Sequence, residues 1–263
     1  MRALPHPAAR TLRWLLLGLL ALAALLGAIA VVDRTMRARA LVAEEEAGRD
    51  NAAILAESLR SELDKFSLLP MALAQDPQVR SLLGGAAGEA QPLNLRLEEL
   101  ARQSGAAAFY AMDAQGMTLA ASNWDRPESF VGSDYAFRRY FREAMANGSA
   151  TQFALGTVSR KPGLYIAERV GPADAPLGVV ALKVEFDSTE ANWRQARQGV
   201  YVTDAAGVVL ITSEEAYRFH LVPGADPAGR DPELDLRQFG MAQLPMLEIA
   251  GQDAVELPLV DAQ

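Results

Sequence analysis

The sequence contains no cysteine, only two histidines and no run of basic residues. Without a thiol, the chain has neither a disulfide framework nor a thiolate that serves as nucleophile or metal ligand. His6 and His220 lie far apart, so they form no motif with metal-ligand spacing. The Gly-x-Ser-x-Gly, phosphate-loop and His-Glu-x-x-His patterns are also missing. We therefore expect no catalytic residue, no cofactor and no resident metal in this chain.

The charge balance is acidic, with a formal net charge of −8 and an isoelectric point near 4.9. Nucleic-acid binding relies on clustered Lys and Arg that neutralise phosphates, so we expect no nucleic-acid partner. Half of the 263 residues are hydrophobic, which is enough for the cores of one or two domains. Disorder is therefore not the expected state.

One long apolar run stands near the N-terminus, from residue 14 to residue 32, and contains no charged residue. A helix of this length spans roughly the 30 Å hydrocarbon core of a bilayer, so we predict one transmembrane helix. Residues 1–13 carry arginines without acids and are expected in the cytoplasm, although the basic residues on the two sides nearly balance. The alternative is a cleaved signal peptide, whose apolar region is normally only about 7 to 15 residues long.

Helical periodicity follows the apolar run, and we predict a long helix and a helical lead-in over residues 33–104. The long helix is expected over residues 38–66, where apolar residues recur among charged ones. A short helix is expected after Asp76, an N-cap residue followed by proline, and it should end at Gly84. A third helix is predicted over residues 94–104.

A sequence phrase occurs twice: YAMDAQGMTLAAS at residues 110–122 and YVTDAAGVVLITS at residues 201–213. Tyr, Asp, Ala, Gly and Ser recur in the same order at an offset of 91 positions. Each Asp-x-x-Gly is typical of a tight turn between two short strands, so each phrase predicts a β-hairpin. The repetition predicts two similar α+β modules in tandem, over residues 105–195 and 196–263.

Between the hairpins, the residues leave two interpretations of the basic side chains open. In GVVALKVEF, alternation places Val180 and Leu182 on one face of a strand, and Lys183 and Glu185 on the other. Taken alone, this pattern is compatible with a solvated lysine. The two arginines of YAFRRYF, at residues 135–141, are equally compatible with the surface of a short helix.

The motifs AASNW, SFVG, YAFRRYF, ALGTVS, PGLY, GVVALKVEFD and RQFGMAQLPML follow one another in this order. Together with the second hairpin, this series resembles the extracytoplasmic sensor region of the bacterial C4-dicarboxylate sensor histidine kinases, over roughly residues 110–247. The resemblance implies an α+β fold of two tandem PAS-like (double Cache) modules with antiparallel sheets, behind a long N-terminal helix. It also implies a bacterial inner-membrane protein whose sensor region is periplasmic, with a dicarboxylate bound in the membrane-distal module, residues 105–195.

A C4-dicarboxylate carries two negative groups a few ångström apart, so its site needs a donor cluster for each end. Arg138 offers a planar fork for one carboxylate, with hydroxyls from Tyr135 and Tyr140. Lys183 would serve the other end, with Thr157 and Tyr165. By resemblance, the ligand-binding residues are Tyr135, Arg138, Tyr140, Thr157, Tyr165 and Lys183, while Ser122, Asn123 and Phe130 shape or roof the pocket.

Two departures accompany this assignment. The family usually has proline where this chain has Arg139, which raises the question of whether Arg139 loosens the start of the helix or adds charge near the site. The second module, residues 196–263, lacks both the Tyr-x-Phe-Arg-x-Tyr-Phe run and a later lysine strand. We expect this membrane-proximal module to be incomplete, to bind nothing small and to relay a change of shape to the membrane.

The sequence ends without a kinase domain, so we expect a truncated chain that reaches a response regulator only through that missing domain. The other expected partners are the membrane, a second copy of the chain in a homodimer, and a dicarboxylate transporter. Two alternatives stay open. The first is a double Cache sensor of a chemoreceptor or cyclic-nucleotide enzyme with another small carboxylate ligand, and the second is a ligand-free structural anchor.

Overall fold

A computed structural model of the protein describes residues 7–196 and 199–248. The chain divides into two compact units, and the second comprises residues 61–250. The first unit contains most of helix α1, Pro7–Ala74, whose apolar part is long enough to cross a membrane by length and composition. The predicted apolar helix is therefore confirmed. The predicted helix over residues 38–66 lies within α1, which ends eight residues later.

Helix α2, Pro77–Leu83, begins as its sequence predicts. The Asp76 carboxylate accepts the N–H groups of Gln78 at 2.8 Å and Val79 at 3.4 Å. These bonds satisfy two of the donors that the first turn of a helix leaves without partners. Proline at the first position costs no hydrogen bond, so a capping aspartate and a proline together fix the start of α2.

Helix α3, Ala90–Ser104, begins four residues before its predicted start because a proline in the first turn is compatible with helix. It ends at Gly105, which has a φ of +77°, as residues after a helix often do. The buried Asn94 side chain accepts the N–H of Ala121 at 2.8 Å. This bond ties α3 to the sheet of the first module.

The first module contains one antiparallel sheet with the strand order β2-β1-β5-β4-β3. Its elements in chain order are β1 Ala108–Asp113, β2 Thr118–Ala121, α4 Arg139–Asn147, β3 Ser149–Leu155, β4 Pro162–Val170 and β5 Gly178–Val184. Beyond it come α5 Asp187–Gln195, β6 Tyr201–Thr203, β7 Val209–Thr212, a 3₁₀ turn at Glu215–Tyr217 and α6 Pro232–Phe239. Strands β6 and β7 form a second antiparallel pair. The predicted α+β fold with antiparallel sheets is confirmed.

Strand β5 is the central strand of the larger sheet, and all seven of its residues are buried. An antiparallel sheet often leaves one face to water, but here both sets of alternating side chains of β5 lie inside the module. Lys183 belongs to this strand and is itself buried. The interpretation of Lys183 as a solvated lysine is therefore wrong, because it assumed that one face of the strand meets water.

The two hairpins repeat the same hydrogen bonds. The Asp113 carboxylate accepts backbone N–H groups two and four residues further on, each at 2.9 Å, and Asp204 does the same at 2.9 Å. The Ser122 hydroxyl accepts the N–H of the residue thirteen positions earlier at 3.0 Å, as Ser213 does in the second hairpin. The Asp and Ser shared by the two sequence phrases thus build the turn and close the hairpin.

The turn glycines hold the segment that follows each hairpin. The Gly116 carbonyl accepts the N–H of Tyr135 at 2.8 Å, and the Gly207 carbonyl accepts that of Val222 at 2.9 Å. A Cβ atom at Gly116 would lie 2.5 Å from the nitrogen of Ala136, a distance that real Cβ contacts do not reach. In the first module the hairpin glycine therefore fixes the chain just before Arg138.

Replacing Gly116 with alanine is expected to lower the free energy of unfolding by about 3 kcal/mol or more. This value is the sum of two costs: an alanine in a left-handed backbone with a φ of +91°, and the collision of its Cβ with the backbone of Ala136. Gly132 is the matched control, since its φ is +81° but no heavy atom lies within 4 Å of an added Cβ. Gly132→Ala should cost only about 1 kcal/mol. Equal melting temperatures for the two variants would contradict the packing of the hairpin on the segment before Arg138.

Candidate functional site

Two buried cations lie near one tyrosine ring in the first module. The Arg138 Cζ atom is 6.0 Å and the Lys183 Nζ atom 5.9 Å from the centroid of Tyr165. Arg138 is 3 % exposed and Lys183 1 % exposed. We call these three residues the two-cation cluster. The interpretation of Arg138 as an ordinary surface residue is thus wrong, and the concentration of buried positive charge needs a physical reason.

The pairing of β4 with β5 explains why Lys183 lies beside Tyr165. Tyr165 and Lys183 are direct cross-strand partners, so their side chains lie on the same face of the sheet. A Cβ atom at Gly163 would lie 2.8 Å from the Lys183 Cε atom. The missing side chain at residue 163 therefore leaves the space in which the lysine stem lies.

Arg138 is the N-cap residue of α4, with an extended backbone, and its guanidinium is buried. Its Nη1 donates to the Arg237 carbonyl of α6 at 2.9 Å, and its Nη2 donates to the Leu155 carbonyl at the end of β3 at 2.6 Å. The Nε atom is buried without a hydrogen-bond partner, and no carboxylate within the described part of the chain forms a salt bridge with Arg138. A buried charge is costly unless it is paired, so this guanidinium suits an anion from outside the chain.

The Lys183 ammonium has three acceptors. It donates to the Ser159 hydroxyl at 2.8 Å, to the Lys161 carbonyl at 3.0 Å and to the Glu185 carboxylate at 2.5 Å. Burial lowers the pKa of Lys183, while the hydrogen bond and charge of Glu185 oppose that shift. The two cations therefore differ, because Lys183 has an anionic partner within the chain.

Tyrosines pack around the cluster. The Tyr110 hydroxyl donates to the Tyr140 hydroxyl at 2.7 Å, and the Tyr140 and Tyr165 rings stack 5.1 Å apart. Burial raises the pKa values of Tyr140 and Tyr165, so both hydroxyls stay protonated in neutral solution. A protonated phenol is a hydrogen-bond donor, which is what a carboxylate requires.

The remaining predicted residues lie at the border of the cluster. Tyr135 is buried, and burial raises the pKa of its hydroxyl. Hydrogen bonds to Ser133 and Thr157 act in the opposite direction and lower that pKa in part. Thr157 is exposed, and its hydroxyl lowers the pKa of Tyr135. Phe130 packs edge-on against Tyr110 with ring centroids 5.3 Å apart, and its role in shaping a pocket stays a prediction.

Asn123 holds the loop that carries Phe130 through two hydrogen bonds of its side chain. The Asn123 side chain accepts the N–H of Phe130 at 3.2 Å and donates to the Glu128 carbonyl at 2.7 Å. Both bonds close the loop that carries Phe130. The predicted residues therefore come together as one buried group, with Thr157 at its exposed edge.

No family model matches the chain. The chain is 40 % identical, over 88 % of its length, to the C4-dicarboxylate transport sensor protein DctB of Rhizobium meliloti (strain 1021). It is 34 % identical, over 71 % of its length, to the protein of the same name from Pseudomonas aeruginosa. The structure also matches the sensor domain of the V. cholerae histidine kinase DctB, with a TM-score of 0.69 and 29 % identity over 80 % of this chain and 81 % of that one.

The chain carries a DctB-like sensor region. It spans 37 % of the Rhizobium meliloti protein and 31 % of the Pseudomonas aeruginosa protein. More distant neighbours share the fold alone. They include the ligand-binding domain of the Pseudomonas fluorescens chemoreceptor CtaA with L-alanine, at a TM-score of 0.50 and 18 % identity over 71 % of this chain and 80 % of that one. The extracellular domain of the putative histidine kinase rpHK1S-Z16 matches with a TM-score of 0.54 and 19 % identity, over 68 % and 74 % of the two chains.

Arg139 occupies the first helical position of α4 in the DctB-like region. Proline is favoured at that position, and the extended backbone of Arg138 suits a residue that precedes proline. Either residue therefore starts the helix in the same way. The Arg139 side chain is half-exposed and approaches Glu143 at 3.9 Å, so its charge is directed along the helix surface.

Sequence reasoning missed Glu185 and Ser159 as partners of Lys183. Glu185 lies two residues after Lys183, and side chains two apart in an extended chain point to the same face. That spacing was a usable signal. Ser159 lies in the loop between β3 and β4, where no periodic pattern indicates its position.

Proposed function

We propose that this chain is the periplasmic ligand-sensing region of a two-component sensor histidine kinase and that it binds C4-dicarboxylates such as succinate, fumarate and malate. The observation that carries the proposal is the two-cation cluster, in which a buried guanidinium and a buried ammonium lie about 6 Å from one tyrosine ring. A doubly anionic metabolite offers one carboxylate to each cation, whereas a singly charged acid offers a carboxylate to only one of them. The similarity to DctB over 88 % of the chain supports the same function.

In the proposed complex, one carboxylate of the ligand pairs with Arg138, whose Nε has no partner in the structure. The other carboxylate pairs with Lys183, and the protonated hydroxyls of Tyr140 and Tyr165 add neutral donors. Tyr135 and Thr157 close the border of the site. Each charge-assisted hydrogen bond contributes about 1.5 to 3 kcal/mol, and five or six of them less desolvation and ordering correspond to micromolar to millimolar binding.

The proposed layout has residues 1–13 in the cytoplasm and residues 14–32 across the bacterial inner membrane. Residues 33–104 lead through helices to the membrane-distal ligand module at 105–195. The membrane-proximal module is proposed for residues 196–263, of which 197–198 and 249–263 lie outside the described residues. A response regulator is a proposed partner that is addressed by a kinase domain and not by the sensor region itself. A homodimer and a dicarboxylate transporter are further proposed partners.

A contact between the modules supports a relay of the signal. Arg138 in the first module donates to the Arg237 carbonyl at the end of α6, and Gln238 of α6 donates to the Phe153 carbonyl in edge strand β3 at 2.9 Å. A ligand that takes donors of Arg138 changes the hydrogen bonding of α6 at the same time. By linkage, the shift in population cannot exceed the difference in ligand affinity between the two arrangements.

The test is a melting-temperature titration of the full chain in detergent with succinate, fumarate and malate, and with butyrate and L-alanine as comparison ligands. Binding to the native state alone raises the melting temperature with ligand concentration. We expect the dicarboxylates to raise it and butyrate to do so only at much higher concentration. A rise with L-alanine alone would favour a sensor of the chemoreceptor kind, and no rise with any acid would favour a structural anchor.

A further inference from the structure

Among residues 7–196 and 199–248, Glu185 is the one carboxylate that forms a salt bridge with the two-cation cluster. Its Oε1 atom lies 2.5 Å from the Lys183 ammonium, and its Oε2 atom lies 3.5 Å from the Lys161 ammonium. Lys161 also contacts Asp187 at 2.6 Å. Glu185 is therefore shared between a fully buried lysine and a half-exposed one, and it is itself less deeply buried than Lys183.

We infer that Glu185 competes with the ligand for Lys183: in the ligand-free protein it holds the place of the second carboxylate, and a dicarboxylate displaces it toward Lys161. This inference rests on the proposed dicarboxylate function. It makes Glu185 a residue that sets the affinity for dianions and their preference over singly charged acids. Glu185 does so without contacting the bound ligand.

The hydrogen-bond inventory of Lys183 leads to this exchange. An ammonium group has three donors, and Ser159, the Lys161 carbonyl and Glu185 accept all three. A ligand carboxylate must therefore replace one of these acceptors. Two of them are neutral, and keeping Glu185 in place would set two carboxylates side by side, which their mutual repulsion opposes. Glu185 is thus the acceptor that leaves.

The surroundings of Glu185 make its departure inexpensive. Lys161 is already within ion-pair distance and keeps a countercharge beside the displaced carboxylate. Asp187 competes for Lys161, and it is the first residue of α5, the helix that follows β5. The same helix carries Glu190, whose buried carboxylate pairs with both terminal nitrogens of Arg218 in the second module, each at 2.8 Å. The exchange of carboxylates at Lys183 therefore takes place next to α5, the helix that is bound to the second module through the Glu190–Arg218 pair.

A dicarboxylate must break the Lys183–Glu185 pair, whereas an acid with one carboxylate binds Arg138 and leaves that pair intact. Removing the charge of Glu185 should therefore tighten succinate binding and leave butyrate binding nearly unchanged. Glu185→Gln keeps the size of the side chain and a neutral acceptor for Lys183. Asp187→Asn is the matched control, because it also removes one negative charge, two residues further along the chain. The Asp187 side chain pairs with Lys161 and not with Lys183.

The experiment is calorimetric titration of the full chain in detergent with succinate and with butyrate, for wild type, Glu185→Gln and Asp187→Asn. We expect Glu185→Gln to bind succinate at least about tenfold more tightly than wild type, with butyrate affinity changed less than about twofold and Asp187→Asn changing succinate affinity less than about threefold. Glu185→Ala, which removes the acceptor as well as the charge, should shift succinate affinity in the same direction. Unchanged butyrate binding reports that each variant is folded.

Four results would overturn the inference. If Glu185→Gln binds succinate more weakly than wild type, Glu185 positions Lys183 instead of competing for it. If Asp187→Asn tightens binding as much as Glu185→Gln does, the effect is a general one of charge. If wild type binds no dicarboxylate, the proposed function fails and this inference fails with it, whereas wild-type binding without tightening in Glu185→Gln refutes the competition alone.

Discussion

Replacing Arg138 with alanine is expected to weaken succinate binding by at least about 100-fold, which corresponds to about 2.7 kcal/mol or more. The reason is that Arg138 supplies a buried positive charge with a free Nε donor and no carboxylate partner among the described residues. Truncating one side of a buried, charged hydrogen-bonded pair typically costs 2 to 5 kcal/mol or more. Butyrate binding should be lost as well, because the single carboxylate of butyrate is assigned to Arg138.

Two further variants separate binding from structure. Arg138→Lys keeps the charge but loses the fork that donates to Leu155 and Arg237, so we expect an intermediate loss of roughly tenfold or more. Arg139→Ala is the matched control, since it removes the same charge from the adjacent, half-exposed residue. It should keep wild-type affinity. Normal succinate binding by Arg138→Ala in calorimetry would show that the guanidinium is not part of the site.

Replacing Lys183 with methionine is expected to reduce succinate affinity by at least about 100-fold while butyrate affinity changes little. The lysine stem lies in a buried space that methionine fills with a similar volume, so the variant removes the ammonium without opening a large cavity. Succinate then binds the variant as a singly charged acid does, through Arg138 alone. Calorimetry with both acids measures the two affinities.

The double variant Lys183→Met with Glu185→Gln controls for the charge that the single variant leaves behind. Glu185 keeps only Lys161 at 3.5 Å once Lys183 is lost, and the double variant restores the charge balance of the cluster. Its melting temperature should be close to that of wild type, while its succinate affinity should stay low. Undiminished succinate binding by either variant would exclude Lys183 as the second anion partner.

The sequence predicted those parts of the fold that depend on local chemistry. Asp76 followed by proline predicted the start of α2, and the repeated Asp-x-x-Gly predicted two hairpins, because each residue acts on its own backbone within four positions. Strand β5 was recognisable from its composition, but the coverage of its second face was not. The Lys183 ammonium is enclosed by the Ser159 hydroxyl and the Lys161 carbonyl, which lie more than twenty positions earlier, and alternation along one strand contains no information on these contacts.

Long-range contacts account for what the sequence did not predict at the site. Arg138 donates to a carbonyl 99 positions further along the chain, and nothing in the local pattern of YAFRRYF indicates that acceptor. The loop between β3 and β4 has no periodicity that indicates how its side chains lie, so the exposure of Thr157 was not predictable, and its role as a ligand contact stays a prediction. Only the resemblance to a known family brought Arg138 and Lys183 together before the structure did.

A crystal structure of the sensor region grown with succinate tests the central claim most directly. The account predicts one succinate carboxylate at about 3 Å from the Arg138 guanidinium and the other at the same distance from the Lys183 ammonium, with Glu185 moved toward Lys161. A structure in which succinate lies elsewhere, while Lys183 still holds Glu185 and no anion meets Arg138, would contradict it.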